Sequence, residues 1–553
     1  MTTSSDQKTS CTAIIYCFMV IGVVALTALM AGVPPVSRDA LIHHLAIPKL
    51  YLRHGSMFEI PNLAFSYYPM NLDLLYLIPL YFKNDILPKF IHFAFALITA
   101  LMIFRYLRRR INTEYALLGS LFFLSIPVIV CQSTTVYVDL GLVCFLFAAL
   151  MYLLDWIEFG FKTQYLVISA VFCGLAVGTK YNGLIGLCLL GLFVPFIYAR
   201  SGSPSYAIRA VMNFALYIII ALIIFSPWMI RNFSWTGNPV YPLYNSIFNP
   251  EIVSADSTSD NVLMSHSRMS HVKIRRDLYG ESGWEIALIP IRVFFQGKDN
   301  DPKYFDGKAN PFLLLLPIFA FFGMKNERRC EKTEKMVMFF FSTLFLLIAY
   351  MQTVIRIRYF APILPPLVIL SMFGLYNIQT KLLGTNRRIS IFSKKVIVFC
   401  IIFVMLGLNA TYMVSRFNYV QPIGYIMGDV SRDEYIQKFR PEYAAIQYAN
   451  RHLEKESKIL GIFIGNRGYY SDINIEFTLN MLQKFAAASN SPKQISEKLW
   501  GKNFSHLLIN FELFNQSVKK DYSFHEKLML KEFFKSYTVT EFSKDGYGLL
   551  RVI

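Results

Sequence analysis

The chain has 553 residues, is 55% hydrophobic and only 16% charged, and carries a formal net charge of +18. Apolar runs of spanning length recur along most of it, which excludes an ordinary soluble globular protein and indicates an α-helical polytopic membrane protein. The basic residues fall in short loops between those runs, so the positive balance reflects cytoplasmic loops and not a nucleic-acid partner. The eight cysteines lie in apolar runs or at their ends, except Cys330 in a basic loop, and no metal-type Cys spacing occurs. A disulfide framework is therefore not expected.

In chain order, the run 11–33 is long for a signal-peptide core, lacks a small-x-small cleavage site and continues into Pro34-Pro35, so it reads as an uncleaved first span. Further runs lie near 86–106, 114–131, 137–157, 164–178, 182–199, 210–230, 310–323, 337–352, 359–377 and 396–414, giving about eleven transmembrane helices. With the N-terminus inside, the cytoplasmic loops carry Arg105, Arg108, Arg109 and Arg110; Lys162; Arg200 and Arg209; Lys325, Arg328, Arg329, Lys332 and Lys335; and Lys381, Arg387, Arg388, Lys394 and Lys395. That distribution satisfies the positive-inside bias and places the C-terminal segment outside.

Residues 1–415 thus form a membrane domain with two long outer loops, 34–85 and 231–309. The first has amphipathic helical stretches at 38–54 and 71–83, and the second an apolar stretch at 284–295; all are too short to span and are expected at the surface. Residues 416–553 are polar. Helix-like pieces at 441–453, 492–500 and 519–534 alternate with strand-like pieces at 459–464, 507–511 and 537–539, as in a small extracytoplasmic α/β domain.

Asp39 follows the first span, and a carboxylate at the mouth of a polytopic protein is a functional candidate. His43 comes one helical turn later; two ligands are too few to assert a divalent metal shared with Asp39, and the preferred reading has His43 hydrogen-bonding near the carboxylate or lining the pocket. Asp139 begins a span on the same side, where it is either a helix-terminus carboxylate or part of a shared site with Asp39. Lys180, Arg231, Arg356 and Arg358 sit near outer span ends, against the charge bias. Singly each reads as snorkelling to headgroups; converging, four such cations suit a phosphate. Tyr67, Tyr68, Tyr137 and Trp228 either stack on a sugar or form an aromatic belt; the first pair leans to the site, the others to the belt. In the polar domain, Asn466 and Arg467 follow a strand, where they either touch an acceptor or, with more weight, close the strand as a turn.

The order of these features resembles the GT-C superfamily of polytopic glycosyltransferases: a span, an outer Asp in a surface helix, Pro48-Lys49-x-Tyr51, Tyr68-Pro69, a span-starting Asp139, Thr179-Lys180-x-x-Gly183, and Arg358-Tyr359 with Pro362, Pro365 and Pro366. It is similar to the bacterial branch that includes lipid A aminoarabinose transferase and the protein O-mannosyltransferases. The resemblance implies that Asp39 is the catalytic base, Asp139 the second acidic residue, Thr179-Lys180 a lipid-phosphate element and Arg358-Tyr359 part of the same site. Read from the residues themselves, His43, Tyr67 and Tyr68, with Tyr359, are expected to line the substrate. Where many relatives have Asp-Glu, this chain has Asp39-Ala40, and Ser66–Met70 replaces a Glu-Lys-Pro-Pro segment, which leaves donor and acceptor identity open.

The expected function is transfer of a sugar from a polyprenyl-phosphate donor to a glycan, lipid or protein acceptor at the outer face of the bacterial inner membrane, with inversion at the anomeric carbon. No cofactor is assigned. A flippase for a lipid-linked saccharide would favour inverted repeats and polar groups at mid-membrane, and neither is evident. An O-antigen ligase or polymerase would not require an acidic residue directly after the first span.

Overall fold

The computed structural model describes residues 11–200, 206–250, 271–324, 327–351, 355–383 and 390–553. Lys325, Arg387 and Arg388 of the basic loops, and residues 251–270 of the second long loop, lie outside the described residues. The chain divides into two compact units. One comprises residues up to Gly32, Tyr67–Leu75 and Leu87–Pro422; the other comprises Val33–Ser66, Tyr76–Ile86 and Ile423–Ile553.

The first ten α-helices are α1 (Cys11–Ala31), α2 (Ala46–His54), α3 (Asn71–Tyr81), α4 (Leu87–Arg110), α5 (Thr113–Ser125), α6 (Pro127–Ser133), α7 (Asp139–Glu158), α8 (Thr163–Val177), α9 (Gly183–Ala199) and α10 (Tyr206–Thr236). In the helical unit, seven helices among the described residues are long and apolar enough to cross a membrane: α1, α4, α7, α10, Arg329–Tyr350, Ile357–Leu382 and Ser393–Val420. There are eight if the bent pair α5–α6 is one span, while α8, α9 and Phe312–Phe321 are shorter apolar helices.

The run expected as a span at 114–131 is bent by 66° between α5 and α6. Pro127 has no N–H to donate and pushes Ile126 out of helical geometry (ψ 129°). The amide of Val128 is satisfied across the break by the Lys308 carbonyl at 3.0 Å. The stretch 284–295 likewise divides into two short helices, Gly283–Ala287 and Ile289–Phe295, the second with Pro290 in its first turn.

Burial separates a central pair of spans from a rim. Of an 18-residue apolar stretch in each, 89% of residues are buried in Ile357–Leu382 and 72% in α7, against 17% in α1 and 22% in α10. α8 packs on α7 and on α10. The α8–α10 approach is close enough that a Cβ on Gly174 would meet the Ala221 carbonyl at 2.6 Å, so a small residue is needed there.

The second unit is built on a five-stranded sheet of β1 (Lys458–Ile462), β2 (Asn474–Phe477), β3 (His506–Asn510), β4 (Thr538–Lys544) and β5 (Tyr547–Val552), in the order β2-β1-β3-β5-β4. The pairs β1–β2 and β1–β3 are parallel; β3–β5 and β4–β5 are antiparallel. Strand alternation sends Leu460, Ile462, Leu507, Ile509, Leu550 and Val552 to a core shared with Leu482, Leu499, Leu530 and Phe533. Ile459, Leu508 and Leu549 face the other way, onto Ala445, Ile446 and Ala449 of the helix Tyr443–His452. Both faces are therefore covered, which is why these strands read as apolar runs. The helix expected over 519–534 is two helices, Phe511–Asp521 and Phe524–Ser536. Ser523 and Glu526 form a capping box that starts the second one.

Long-range bonds tie the early segments of this unit to its sheet domain. Lys49 Nζ donates to the carbonyls of Tyr469 (2.7 Å) and Ser471 (3.0 Å) and to Asp472 Oδ1 (3.0 Å). Asp85 accepts from Arg432 (2.6 Å) and from the Tyr469 hydroxyl (3.2 Å). Burial, then the Asp85 charge, raise the Tyr469 phenol well above its ordinary value, so it remains a neutral O–H donor.

Candidate active site

In the helical unit, the two most buried spans each carry a charged residue within their first two positions. Asp139 opens α7 and is 2% exposed; Arg358 is the second residue of Ile357–Leu382 and is 7% exposed. Lys180, in the turn between α8 and α9, donates from Nζ to Asp139 Oδ1 at 2.7 Å. The Arg358 charge acts on the same carboxylate. An ammonium has three N–H donors, and Asp139 takes one of them. Asp139 therefore anchors a lysine whose remaining donors are available for an anion.

The cations are held against aromatic faces. Lys180 Nζ lies 4.9 Å from the centre of the Tyr359 ring, and the Arg358 guanidinium lies 4.8 Å from Tyr137 and 5.5 Å from Tyr359. Arg231 sits between Trp228 (4.6 Å) and Trp235 (4.9 Å) and donates to the Tyr68 carbonyl at 3.1 Å. Such contacts hold a charge where water is scarce without neutralising it. Tyr137 and Trp228, which the sequence assigned to a belt, thus serve as platforms under cations. Trp228 also donates from Nε1 to Asn71 Oδ1 at 2.8 Å.

Tyr68 links these groups: its ring meets Tyr181 edge-on at 5.5 Å. Burial, with Tyr359 adding, pushes its phenol above the ordinary tyrosine value. Tyr67 is buried against Tyr241 (4.7 Å) and Trp235 (6.1 Å), so it forms a wall and does not present an open stacking face. Arg356 is engaged elsewhere, in an ion pair with Asp306 at 3.3 Å. Asp139, Lys180, Arg231, Arg358, Tyr68 and Tyr359 are thus brought together; Arg356 is not.

Asp39 and His43 belong to the other unit. Asp39 is half-buried and directly precedes a single π-helical turn, Ala40–His44. There Leu41 still donates to Ser37 (3.2 Å), but Leu45 donates five residues back, to Ala40 (2.9 Å). Such wide turns recur at functional sites. The segment is held by the turn after β1: the Tyr469 amide donates to the Leu41 carbonyl at 3.1 Å, and the Tyr470 hydroxyl to the Pro35 carbonyl at 2.7 Å. His43 stacks on Phe65 at 4.3 Å and lies 4.0 Å from the His44 ring. Among the described residues, no three His, Cys, Asp or Glu side chains group as metal ligands. Gly465 and Asn466 adopt left-handed conformations and Arg467 pairs with the buried Glu442, so that stretch is the turn that closes β1.

Three residues emerge only from the structure. His92 on α4 accepts from the Leu140 amide at Nε2 (2.9 Å), and its Nδ1 faces the carbonyls of Gln132 (3.0 Å) and Thr135 (3.1 Å). A ring that accepts at one nitrogen and faces carbonyls at the other must carry its proton on Nδ1, so His92 is neutral and fixes the start of α7 beside Asp139. Asn71 binds the α8–α9 turn through its amide, which donates to the Gly178 carbonyl at 3.0 Å. Asn232 donates to the Tyr67 carbonyl (2.8 Å) and the Tyr181 hydroxyl (3.0 Å), which pins the Tyr67-Tyr68 segment to α10. A polar residue inside or beside an apolar run was the available signal for each.

Residues 83–230 match the family described as dolichyl-phosphate-mannose-protein mannosyltransferase. A comparison with curated proteins gives no match. Among solved structures, the chain is similar to ArnT from Cupriavidus metallidurans bound to undecaprenyl phosphate, with 13% identity over 98% of each chain and a TM-score of 0.57. It is also similar to the same protein in the apo state, with 12% identity over 97% of each chain and a TM-score of 0.59. The oligosaccharyltransferase AglB from Archaeoglobus fulgidus, solved with an inhibitory peptide and a dolichol-phosphate, shares 10% identity over 97% of this chain and 74% of its own, with a TM-score of 0.53. What the chain shares with these structures is the fold.

Proposed function

We propose that this chain, a polytopic membrane glycosyltransferase of the GT-C fold, moves a sugar from a polyprenyl phosphate to an acceptor hydroxyl at the membrane face opposite the cytoplasm. The observation that carries this reading is the convergence of Lys180 and Arg358 on one end of the two most buried spans, with Asp139 anchoring the lysine. The carriers found with the similar folds, undecaprenyl phosphate and a dolichol-phosphate, support a polyprenyl donor. The N-terminus is then cytoplasmic and the sheet domain extracytoplasmic, as the arginines ending α4 support.

In the reaction, the acceptor oxygen attacks the anomeric carbon and the carbon–oxygen bond to the phosphate breaks. Asp39 takes the acceptor proton, and the polyprenyl phosphate leaves with the bonding pair. Lys180 and Arg358 stabilise the charge that grows on that phosphate, with Arg231 beside Tyr68 extending the cationic surface. One direct displacement inverts the anomeric centre. Asp139 has the narrower role of fixing Lys180.

The test is a glycan and lipid profile of cells lacking the protein, complemented with wild type or Asp39→Asn. The expected result is one sugar residue missing from the profile, restored by wild type and not by Asp39→Asn. An unaltered profile, or full restoration by the variant, overturns the reading.

A further inference from the structure

Asp39 lies between an irregular stretch, Pro34–Ser37, and a π turn, a rare form that recurs at functional sites. Two bonds from the turn after β1 hold this segment, and they bracket the carboxylate residue. The Tyr470 hydroxyl takes the carbonyl four residues before Asp39, and the Tyr469 amide takes the carbonyl two residues after. Both donors are adjacent in the sequence and lie within the same unit as Asp39.

The turn that carries them is itself fixed. Arg467 pairs with Glu442, which is 2% exposed at the start of the helix Tyr443–His452. The Tyr470 ring packs edge-on against Tyr443 at 5.1 Å and against Tyr469 at 5.0 Å. From the opposite side, Lys49 holds the carbonyls of Tyr469 and Ser471. A rigid path therefore runs from the sheet domain through Tyr469 and Tyr470 to the backbone on both sides of Asp39.

We infer that Tyr470, with the Tyr469 amide, is a positioning residue for Asp39, and that setting this base is a task of the sheet domain. The inference rests on the base role proposed above for Asp39. A displacement of about 1 Å at a reacting group lowers turnover strongly while leaving ground-state binding intact.

The experiment uses the full chain in proteoliposomes with lipid-linked sugars extracted from the producing cells, and counts active protein by binding of polyprenyl phosphate. Tyr470→Phe keeps the ring and removes only the hydroxyl. Turnover per binding site should fall on the order of tenfold with an unchanged KM for the donor. In an Asp39→Asn background the same change should cost nothing further, because a residue that acts through Asp39 has nothing left to position. Should Tyr470→Phe fail to accumulate, Lys49→Gln loosens the same turn and is read in the same way. Wild-type turnover in Tyr470→Phe, or an equal loss in both backgrounds, overturns the inference alone. Full transfer by Asp39→Asn overturns the base reading and this inference with it.

Discussion

Two charge clusters, one in each compact unit, are held by different means. In the helical unit, Asp139 and Lys180 meet where little water reaches, and the arginines lie on aromatic faces. In the other unit, one cluster stands nearer to solvent: Asp472, which meets Lys49 and Arg53, is 58% exposed. Desolvation makes the first kind of pair costly to break and the second cheap, because an exposed charge that loses its partner returns to water. Severity on mutation should therefore follow burial rather than the number of bonds.

The largest effect is expected at the buried pair. Lys180→Met takes the ion-pair partner from the buried Asp139 carboxylate and leaves only the Arg358 charge to offset it, which costs up to about 3–5 kcal/mol. Thermal unfolding in detergent should show this loss, and Lys180→Met with Asp139→Asn should recover most of it. A single variant as stable as wild type would break the comparison.

Next is His92→Phe, which keeps a planar ring but strands the Leu140 amide, at about 1–3 kcal/mol. It should lower thermal stability and slow transfer together, since the start of α7 carries Asp139. Arg358→Lys keeps the charge but loses the planar group that lies on Tyr137 and Tyr359. Donor kcat/KM should fall about tenfold, or about 1.4 kcal/mol, with stability near wild type. An unchanged donor dependence would remove Arg358 from the phosphate clamp.

The smallest effect belongs to the exposed pairs. Burial tends to raise the Asp472 carboxyl, but Lys49 and Arg53 outweigh it and hold it below its usual value of 3.8. Because the folded value lies below the unfolded one, this contribution is fully present above about pH 4 and is lost as the pH falls through the folded value. Exchange of the Tyr469 amide, corrected for its intrinsic rate, should speed up modestly below that pH, and Asp472→Asn should remove the dependence. A transition at neutral pH would contradict it.

Much of the helical unit was legible because lipid imposes long apolar runs, and each run read from the sequence carries helix. The local breaks were harder. Pro127 was visible, but its 66° consequence depends on the Lys308 carbonyl that accepts the freed amide. β5 went unread, although Asp545-Gly546, both in left-handed conformations, mark the hairpin that joins it to β4. Lys180 and Arg358 were legible as cations at the wrong ends of spans. Nothing in the spacing told Arg356 from Arg358, because only the fold puts Asp306 beside the first and Tyr137 beside the second.

Hydrophobic patterning and loop charge by themselves determined the membrane class, the helix order and the polar C-terminal domain, since both are one-dimensional records of how each residue partitions between water and lipid. Only the tertiary structure decided that His92 caps the Asp139 helix and that Tyr470, some 430 residues away in the chain, holds the backbone of Asp39. Those bonds join groups whose separation along the chain carries no periodic signal, so no window of sequence contains them.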